Sequence, residues 1–423
     1  MEPTTEPRKG LGIAFRFVAA YLALYMVPSP LDAVPAADGL SKAVRECWAV
    51  PVRWVAAHFF HIYRETLIAE TGSGDTTFDY LLIVVMIAIA GAITVVWTLR
   101  ARSSRDVIAH EVLGVWLRYN LAFTMLKYGL SKVFKAQFPH PDFGRLIEPY
   151  GQSSPMALLW TFMGYSTAYT VFAGLAECVG GVLLFWRRTT TLGALVLVAV
   201  LCNVVMLNLC YDVPVKLFSS HLLFMAIFLS APDAGRLLNV LILQRATCPS
   251  PARRALPKRW MNRTALAVKV SFIAITVFTL TKGAYEGWRE YGDASAPGHL
   301  DGLYEVARFE RAGVDVPANL AEAPRWRRIA ISPHRAIVQR MNDASDRYRA
   351  EVDMPKSTMT LTLHGTAAAP FVLAFSRPDS EHLTLRGTVD DATLIIDLKR
   401  ADTGEQLLTS RGFHWINEYP VNR

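Results

Sequence analysis

Ionisable side chains interrupt several long apolar runs of the sequence, where each is costly unless it has a partner. Glu177 lies in "AGLAECVGG", and Lys216 and His221 lie in "PVKLFSSHLLF". A charged group at the centre of a bilayer costs about 2.5–3.5 kcal/mol on insertion scales, so Glu177 should be protonated or paired with a close neighbouring helix. Histidine titrates near neutral pH, and a lysine ammonium holds anionic or carbonyl oxygens. We therefore take Glu177 and His221 as candidate catalytic proton carriers and Lys216 as the candidate ligand of an acceptor oxygen.

Further polar residues could line the same pocket. Asn120, Lys127 and Tyr128 recur at i, i+7 and i+8, which places them on one face of a helix. Asp212 is expected to cap the run that contains Lys216. The alternative is structural: an Asp212–Lys216 ion pair, a lysine that reaches the surface, and asparagines that bind neighbouring helices. The candidate pocket-lining residues are Lys127, Tyr128, Asn120, Asn203, Asn208 and Asp212.

The elements that must position these residues are apolar runs of membrane-spanning length. Hydrophobic residues make up 52% of the 423 residues, and they concentrate in the first 282. A spanning helix needs about 20 mostly apolar residues. Seven runs qualify, although the first could also be a cleaved signal peptide. They cover about 11–29, 79–98, 111–130, 165–186, 190–210, 214–231 and 265–282.

Charge asymmetry predicts the orientation of these spans. Basic residues concentrate in the connection 99–110, at Arg187 and Arg188, and in 244–264, which fall on one side of a seven-span chain. The positive-inside rule makes that side cytoplasmic, so the N-terminus is cytoplasmic and the C-terminal domain is periplasmic in a bacterial inner membrane. The basic excess is then explained by cytoplasmic loops, which argues against nucleic acid as a partner.

The two longest outer connections should pack near the bundle. Residues 30–78 include "AVRECWAVPVRWVAAHFFHIY", which predicts an amphipathic interfacial segment. Residues 131–164 are rich in Pro and Gly and end in a short apolar stretch, which is typical of a re-entrant loop. The five cysteines have no metal-ligand spacing and should be small buried hydrophobes, so we expect no metal site.

The last part of the chain changes to a period of two. Residues 291–423 hold 16 Lys+Arg and 18 Asp+Glu, and from about 298 segments such as "STMTLTLHG" and "DATLIIDL" alternate. Such segments predict an antiparallel β-barrel or sandwich, with one weak helical candidate near 335–348. "GLYEV" looks loosely like the start of a lipocalin-type barrel. "RGFHWINEYPVNR" is either a last strand with a surface anchor or a contact with the membrane part or a ligand.

The segments "LRYNLAFTMLKYGLSKVF" and "LCNVVMLNLCYDVPVKLFSSHLLFMAIFLSAPD" and the small-residue run around Glu177 resemble DoxX-like bacterial membrane proteins. The resemblance covers 111–231 and implies a four-helix membrane core. Some members of that family are subunits of quinone-linked sulfur oxidoreductases, so it also implies a quinone or a redox partner. The extra spans and the β-domain depart from the short family form, and no haem or iron–sulfur ligand set is present.

We therefore predict an α-helical polytopic membrane bundle of about seven spans plus a C-terminal all-β soluble domain. It would bind a quinone or lipid in an outward-facing polar pocket, and could serve as the membrane subunit of an oxidoreductase. The competing hypotheses are a non-enzymatic anchor for a β-domain that binds a lipid, peptide or envelope protein, and a small-solute transporter. The predicted parts are 1–110 (two spans with an outer loop), 111–231 (core), 232–290 (basic loop and last span) and 291–423 (β-domain).

Overall fold

A computed structural model describes residues 12–29, 38–63, 71–100, 103–247, 258–319, 325–365, 368–404 and 406–421. Cys248 and the basic residues Arg253 and Arg254 lie outside these ranges. The chain divides into two compact units: a helical unit of 1–137 with 168–287, and a barrel unit of 138–167 with 288–423. The predicted boundary between the helical part and the β-domain, at 291, is close to the observed one at 288. Residues 138–167 were predicted to be part of the 111–231 core, but they belong to the barrel unit.

The helices in chain order are α1 (Ile13–Met26), α2 (Asp38–Phe59), α3 (Thr77–Leu99), α4 (Ser103–Val133), α5 (Phe143–Ile147), α6 (Pro155–Tyr165), α7 (Thr167–Leu184), α8 (Thr190–Cys210), α9 (Lys216–Ser230), α10 (Ala234–Leu241), α11 (Arg259–Tyr291) and α12 (Leu407–Ser410). The strands are β1 (Gly302–Arg311), β2 (Val314–Asp315), β3 (Trp326–Ser332), β4 (Arg335–Arg340), β5 (Ser345–Asp353), β6 (Thr358–Leu363), β7 (Phe371–Ser376), β8 (His382–Val389) and β9 (Ala392–Arg400).

All seven predicted apolar runs fall on helices of the helical unit. Among the described residues, five helical segments are long and apolar enough to cross a membrane: Thr77–Leu99, Thr167–Leu184, Arg187–Cys210, Lys216–Leu241 and Arg259–Tyr291. The first run forms the shorter apolar helix α1, and the third lies in α4, whose polar residues keep it out of this set. The amphipathic segment expected in 30–78 is α2, which packs on α3 through Val52, Ala56 and Phe78.

One end of the helical unit is held by a buried polar network around Arg16, the residue that interrupts the first apolar run. Its guanidinium donates to both carboxylate oxygens of Asp106 at 3.3 and 2.7 Å and to Thr98 Oγ1 at 3.2 Å. Trp97 Nε1 also donates to Asp106, at 3.1 Å. Every partner of the carboxylate is therefore a donor, which offsets the cost of burying it between α1, α3 and α4.

The C-terminal strands form a closed antiparallel barrel. β1 pairs with β3 on one side and with β9 on the other, while β2 is a two-residue extension that pairs with β1. Because the β1–β9 pairing closes the sheet, the fold is a barrel and not a sandwich, the other predicted alternative. None of the eight main strands is left with an open edge. The interior is filled by fully buried side chains such as Tyr304, Ile329, Leu385 and Ile396. The inside of the barrel is therefore a packed core.

Two sequence predictions for the barrel unit are wrong. The helical candidate 335–348 is the β4–β5 hairpin, because Ala336 and Val338 alternate into the core with a period of two. The expected last strand in the C-terminal segment is also absent from the described residues: α12 ends at Ser410, and 411–421 join no strand.

The segment 138–167 packs against the outside of the barrel. Asp142 caps α5 by accepting a hydrogen bond from the Arg145 N–H at 2.9 Å. Ile147 then covers Leu303 and Ala330, which point outwards from β1 and β3. The turn-like first half of 131–164 therefore contains α5, and the re-entrant course of this segment stays a prediction. The second half forms the short apolar helix α6, which begins with Pro155 after the capping residue Ser154.

Candidate functional site

Close approach of α4 and α7 creates the setting for Glu177. A Cβ atom on Gly129 would lie 2.6 Å from Cys178 Sγ and 2.7 Å from the Gly174 carbonyl oxygen. A Cβ atom on Gly174 would lie 2.6 Å from the Gly129 carbonyl oxygen. Only glycine allows two helix backbones to come so near. The small residues near Glu177 therefore bring in a neighbouring helix, as predicted.

Glu177 is paired across this contact with Lys132 of α4. The Lys132 Nζ lies 2.9 Å from the Glu177 Oε2, and both residues are buried. The same ammonium lies 5.8 Å from the centre of the Tyr128 ring, within cation–π distance. Of the two predicted alternatives for Glu177, protonated or paired with a neighbouring helix, the structure shows the paired one. The partner itself was missed, although Lys132 follows Tyr128 by one helical turn.

His221 is held by two tyrosines of α1. The Tyr21 hydroxyl lies 2.5 Å from His221 Nε2, and His221 Nδ1 lies 2.6 Å from the Leu217 carbonyl oxygen. Because a carbonyl oxygen only accepts, Nδ1 carries hydrogen and Nε2 of the neutral ring accepts from Tyr21. The Tyr25 ring stacks on the imidazole at 4.0 Å between centres and 7° between planes. Neither tyrosine was predicted from the sequence, where the one signal for them is their spacing of four residues.

Lys216 begins α9, and an acid from a distant segment caps that helix. The Asp75 carboxylate accepts from the backbone N–H groups of Lys216 at 2.8 Å and Leu217 at 2.9 Å. The Lys216 Nζ lies 2.8 Å from Asp212 Oδ1 and 3.8 Å from Asp75 Oδ2. The expectation that Asp212 caps α9 is wrong: Asp212 is in a turn with φ of 51°, and its side chain is 82% exposed. The i,i+4 ion pair considered as the structural alternative is present.

The remaining predicted lining residues separate into buried and exposed ones. Asn120 is buried, and the Asn208 amide donates to Ser219 Oγ at 3.0 Å, which links α8 to α9. Asn203 is exposed, contrary to expectation, because it lies about 200° round the helix from the buried Leu201. Lys127 is also exposed, since its long side chain reaches the surface near the end of α4.

The three predicted catalytic residues are thus separately partnered. Tyr128 lies beside Lys132, whose Nζ is 5.8 Å from the centre of the tyrosine ring, and that centre is 5.9 Å from the centre of the Phe218 ring on α9. Chemically, the Lys132–Glu177 pair can hold one proton between two buried groups. The Tyr21–His221 pair can pass a proton along a single hydrogen bond.

Other candidate sites lie elsewhere or are not formed. Of the described cysteines, Cys47, Cys202 and Cys210 are exposed, contrary to the expected burial, and only Cys178 is partly buried. Over the described ranges, no group of three or more His, Cys, Asp or Glu residues could hold a metal ion. An apolar groove on α3 is lined by Ala92, Ile93, Val96, Trp97 and Arg100, and Trp97 also donates to Asp106 of the Arg16 network. Glu177 is not one of its lining residues.

Comparison with known proteins gives one curated relative. The chain is 32% identical over 126 residues to "Uncharacterized protein YwoB" of Bacillus subtilis (strain 168). The match covers 29% of this chain and 78% of that protein. No family model and no solved structure matches the chain.

Proposed function

We propose that this chain, which belongs to the same family as YwoB, is a bacterial inner-membrane protein whose helical unit binds a small carbonyl compound of the quinone class. The Tyr21–His221 pair would supply the proton that such a compound takes up or releases. The five apolar helices support a membrane location. The resemblance to DoxX-like proteins supports the quinone, and the basic connections support a cytoplasmic N-terminus and a periplasmic barrel.

The observation that carries the proposal is the 2.5 Å contact between the Tyr21 hydroxyl and His221 Nε2. With neutral His221, Tyr21 donates to the ring and offers a ligand only its lone pairs. When His221 gains a proton, Nε2–H donates to the Tyr21 oxygen, and the tyrosine O–H is free to donate to a ligand oxygen. One proton can therefore move from the imidazole through the hydroxyl, without any movement of the backbone.

The residues around this pair fit a quinone head group. Such a ring needs a hydrogen-bond donor at its carbonyl oxygen and aromatic or aliphatic walls. Tyr21 provides the hydroxyl, and the rings of Phe17 and Tyr25 lie 6.5 and 6.3 Å from the Tyr21 ring. A quinone takes up two electrons and two protons on reduction, and the electrons would come from a redox partner. Tyr21 and His221 would orient one carbonyl oxygen and carry one of the two protons. Lys216, which is held by Asp212 and Asp75, has no role in this proposal.

The test is quinone retention and its pH dependence in the purified full chain. Tyr21→Phe removes the hydroxyl but keeps the ring, and we expect it to lower affinity for a soluble short-chain quinone about tenfold, since a lost hydrogen bond to a polar ligand costs on the order of 1.4 kcal/mol. Tyr25→Phe is the matched control, because Tyr25 contributes its ring to the stack. The measurements cover pH 5 to 8, because histidine ordinarily titrates in this range. The proposal would be contradicted if the wild type and Tyr21→Phe bound the quinone with equal affinity at every pH.

A second function, a non-enzymatic anchor, is favoured by a different observation. The Glu177, Lys216 and Asn208 side chains all have internal partners, and the barrel interior is filled. The barrel would then bind a periplasmic or membrane protein partner through its outer surface. Under this hypothesis, Glu177→Gln leaves the cellular phenotype unchanged in protein that still inserts, whereas deletion of 298–423 abolishes it. The quinone hypothesis expects Tyr21→Phe to reproduce the deletion phenotype.

A further inference from the structure

The described C-terminal residues of the barrel unit present large apolar side chains to the outside. Phe413 is 78% exposed, Trp415 91%, Ile416 78% and Tyr419 82%. These four residues lie within seven consecutive positions that follow α12, and the centres of the Phe413 and Trp415 rings are 5.0 Å apart. We call residues 411–421 the aromatic tail. Soluble proteins rarely expose so many large apolar side chains together without a use for them.

A hydrogen bond ties the aromatic tail to the end of α6. The Tyr165 hydroxyl donates to the Arg411 carbonyl oxygen at 2.9 Å. Within the tail, Arg411 Nη2 donates to Asn417 Oδ1 at 2.5 Å, and Asn417 Nδ2 donates to the His414 carbonyl oxygen at 3.2 Å. These bonds hold the tail in a turn beside Tyr165, and they fix where its apolar side chains lie relative to the end of α6.

α6 adds apolar surface of its own. Leu159 and Met163 form its buried face, while Leu158, 37% exposed, and Tyr165, 41% exposed, lie seven residues apart on another face. Residues seven positions apart lie on the same side of a helix. Leu158 and Tyr165 therefore extend the apolar surface of the tail along α6.

Chain connectivity identifies what this surface meets. Tyr165 is separated by Ser166 alone from Thr167, the first residue of the candidate span Thr167–Leu184. If α7 crosses the membrane, Tyr165 must lie at the boundary between lipid and water. Four extended residues cover at most about 14 Å, so Trp415 stays within that distance of Arg411. Trp and Tyr are the residues enriched at that boundary, where an amphipathic ring has both lipid and water within reach.

We propose that the aromatic tail, together with the end of α6, docks on the lipid surface of the membrane that the helical unit spans. Phe413, Trp415, Ile416 and Tyr419 insert among the head groups and the upper acyl chains. The barrel unit thereby gains a second attachment to the bilayer, besides its covalent connections to α4, α7 and α11. The inference rests on the membrane location in the proposed function, but not on the quinone.

The test is photo-crosslinking in the full chain reconstituted in phosphatidylcholine–phosphatidylglycerol vesicles. Trp415→benzoylphenylalanine should give a phospholipid adduct, detected as a mass increase of one lipid. Phe278→benzoylphenylalanine, on an exposed position of α11, tests the membrane location itself. Val314→benzoylphenylalanine, on the short barrel strand β2, is the matched control and should give no lipid adduct.

Each outcome decides a different claim. A lipid adduct at 415 and 278 but not at 314 supports docking. An adduct at 278 without one at 415, or an adduct of 415 to protein, overturns docking while the membrane location stands. No adduct at 278 overturns both the membrane location and the docking that depends on it.

A second measurement uses native side chains. In the variant Phe413→Ser, Trp415→Ser, Ile416→Ser and Tyr419→Ser, the barrel should stay folded, because the four positions are outside its core. Trypsin cleavage after Arg411 in vesicles should then become about tenfold faster, which corresponds to about 1.4 kcal/mol of lost docking. Equal cleavage rates in vesicles would contradict docking, and equal rates in detergent are the expected control.

Discussion

The Nζ of Lys132 lies 2.9 Å from Oε2 of Glu177, and the two residues come from different helices, α4 and α7. A carboxylate that looked isolated in the sequence is therefore half of a buried ion pair. The pair sits beside the glycine contact between the two helices, so electrostatics and backbone packing depend on each other there.

Removing one partner of this pair should be strongly destabilising. We expect Glu177→Leu to lower the free energy of unfolding by about 3–5 kcal/mol, because Lys132 would remain as an uncompensated buried charge. Lys132→Met combined with Glu177→Leu should cost less than either single change. Unfolding of the purified chain in mixed detergent gives the double-mutant cycle. A double variant that loses the sum of both single effects would show that the pair contributes no coupling energy.

The glycine contact can be tested with one added methyl group. Gly129→Ala should cost about 1–3 kcal/mol, since its Cβ would lie within 2.7 Å of a backbone oxygen and the helices must separate. Gly114→Ala, in the same helix, meets nothing within 4 Å and should be neutral or slightly stabilising. Thermal unfolding of both variants measures the difference. Similar effects at the two positions would mean that α4 and α7 do not pack closely.

The Asp75 cap should contribute to the stability of α9 from 141 residues away. Asp75→Ala leaves the Lys216 and Leu217 N–H groups without their acceptor, which costs about 0.5–2 kcal/mol. Asp212→Ala removes an exposed partner of Lys216 and should cost less than about 1 kcal/mol. Hydrogen exchange of the first turn of α9 reports the effect. Unchanged exchange in Asp75→Ala would exclude the cap.

Packing of α5 on the barrel predicts that a residue outside the strands stabilises them. Ile147→Ala opens a cavity over Leu303 and Ala330 and should cost about 2–5 kcal/mol. Tyr150→Ala, at an 80% exposed position three residues later, should stay within about 0.5 kcal/mol. Hydrogen exchange in β3 and β4 should accelerate in the first variant alone. Equal protection in both would mean that 138–167 is not part of the barrel unit.

Local patterns in the sequence were sufficient for much of the fold. The apolar runs fall on helices, and period-two alternation identified most of the strands. Where the pattern was weak, as at 335–348, the prediction failed, because a short stretch rich in Arg and Ala fits a helix until the core it faces is known. The burial cost of a carboxylate also predicted that Glu177 is either protonated or paired with a neighbouring helix.

The sequence by itself thus determined that the chain has apolar helices, a β-domain and a carboxylate in need of a partner. Only the tertiary structure decided that the partner is Lys132 rather than Lys127, that Asp75 caps α9, and that Tyr21 holds His221. These contacts join residues 45, 141 and 200 positions apart. Periodicity fixes the face on which a side chain lies, but the neighbour opposite that face depends on how distant elements pack.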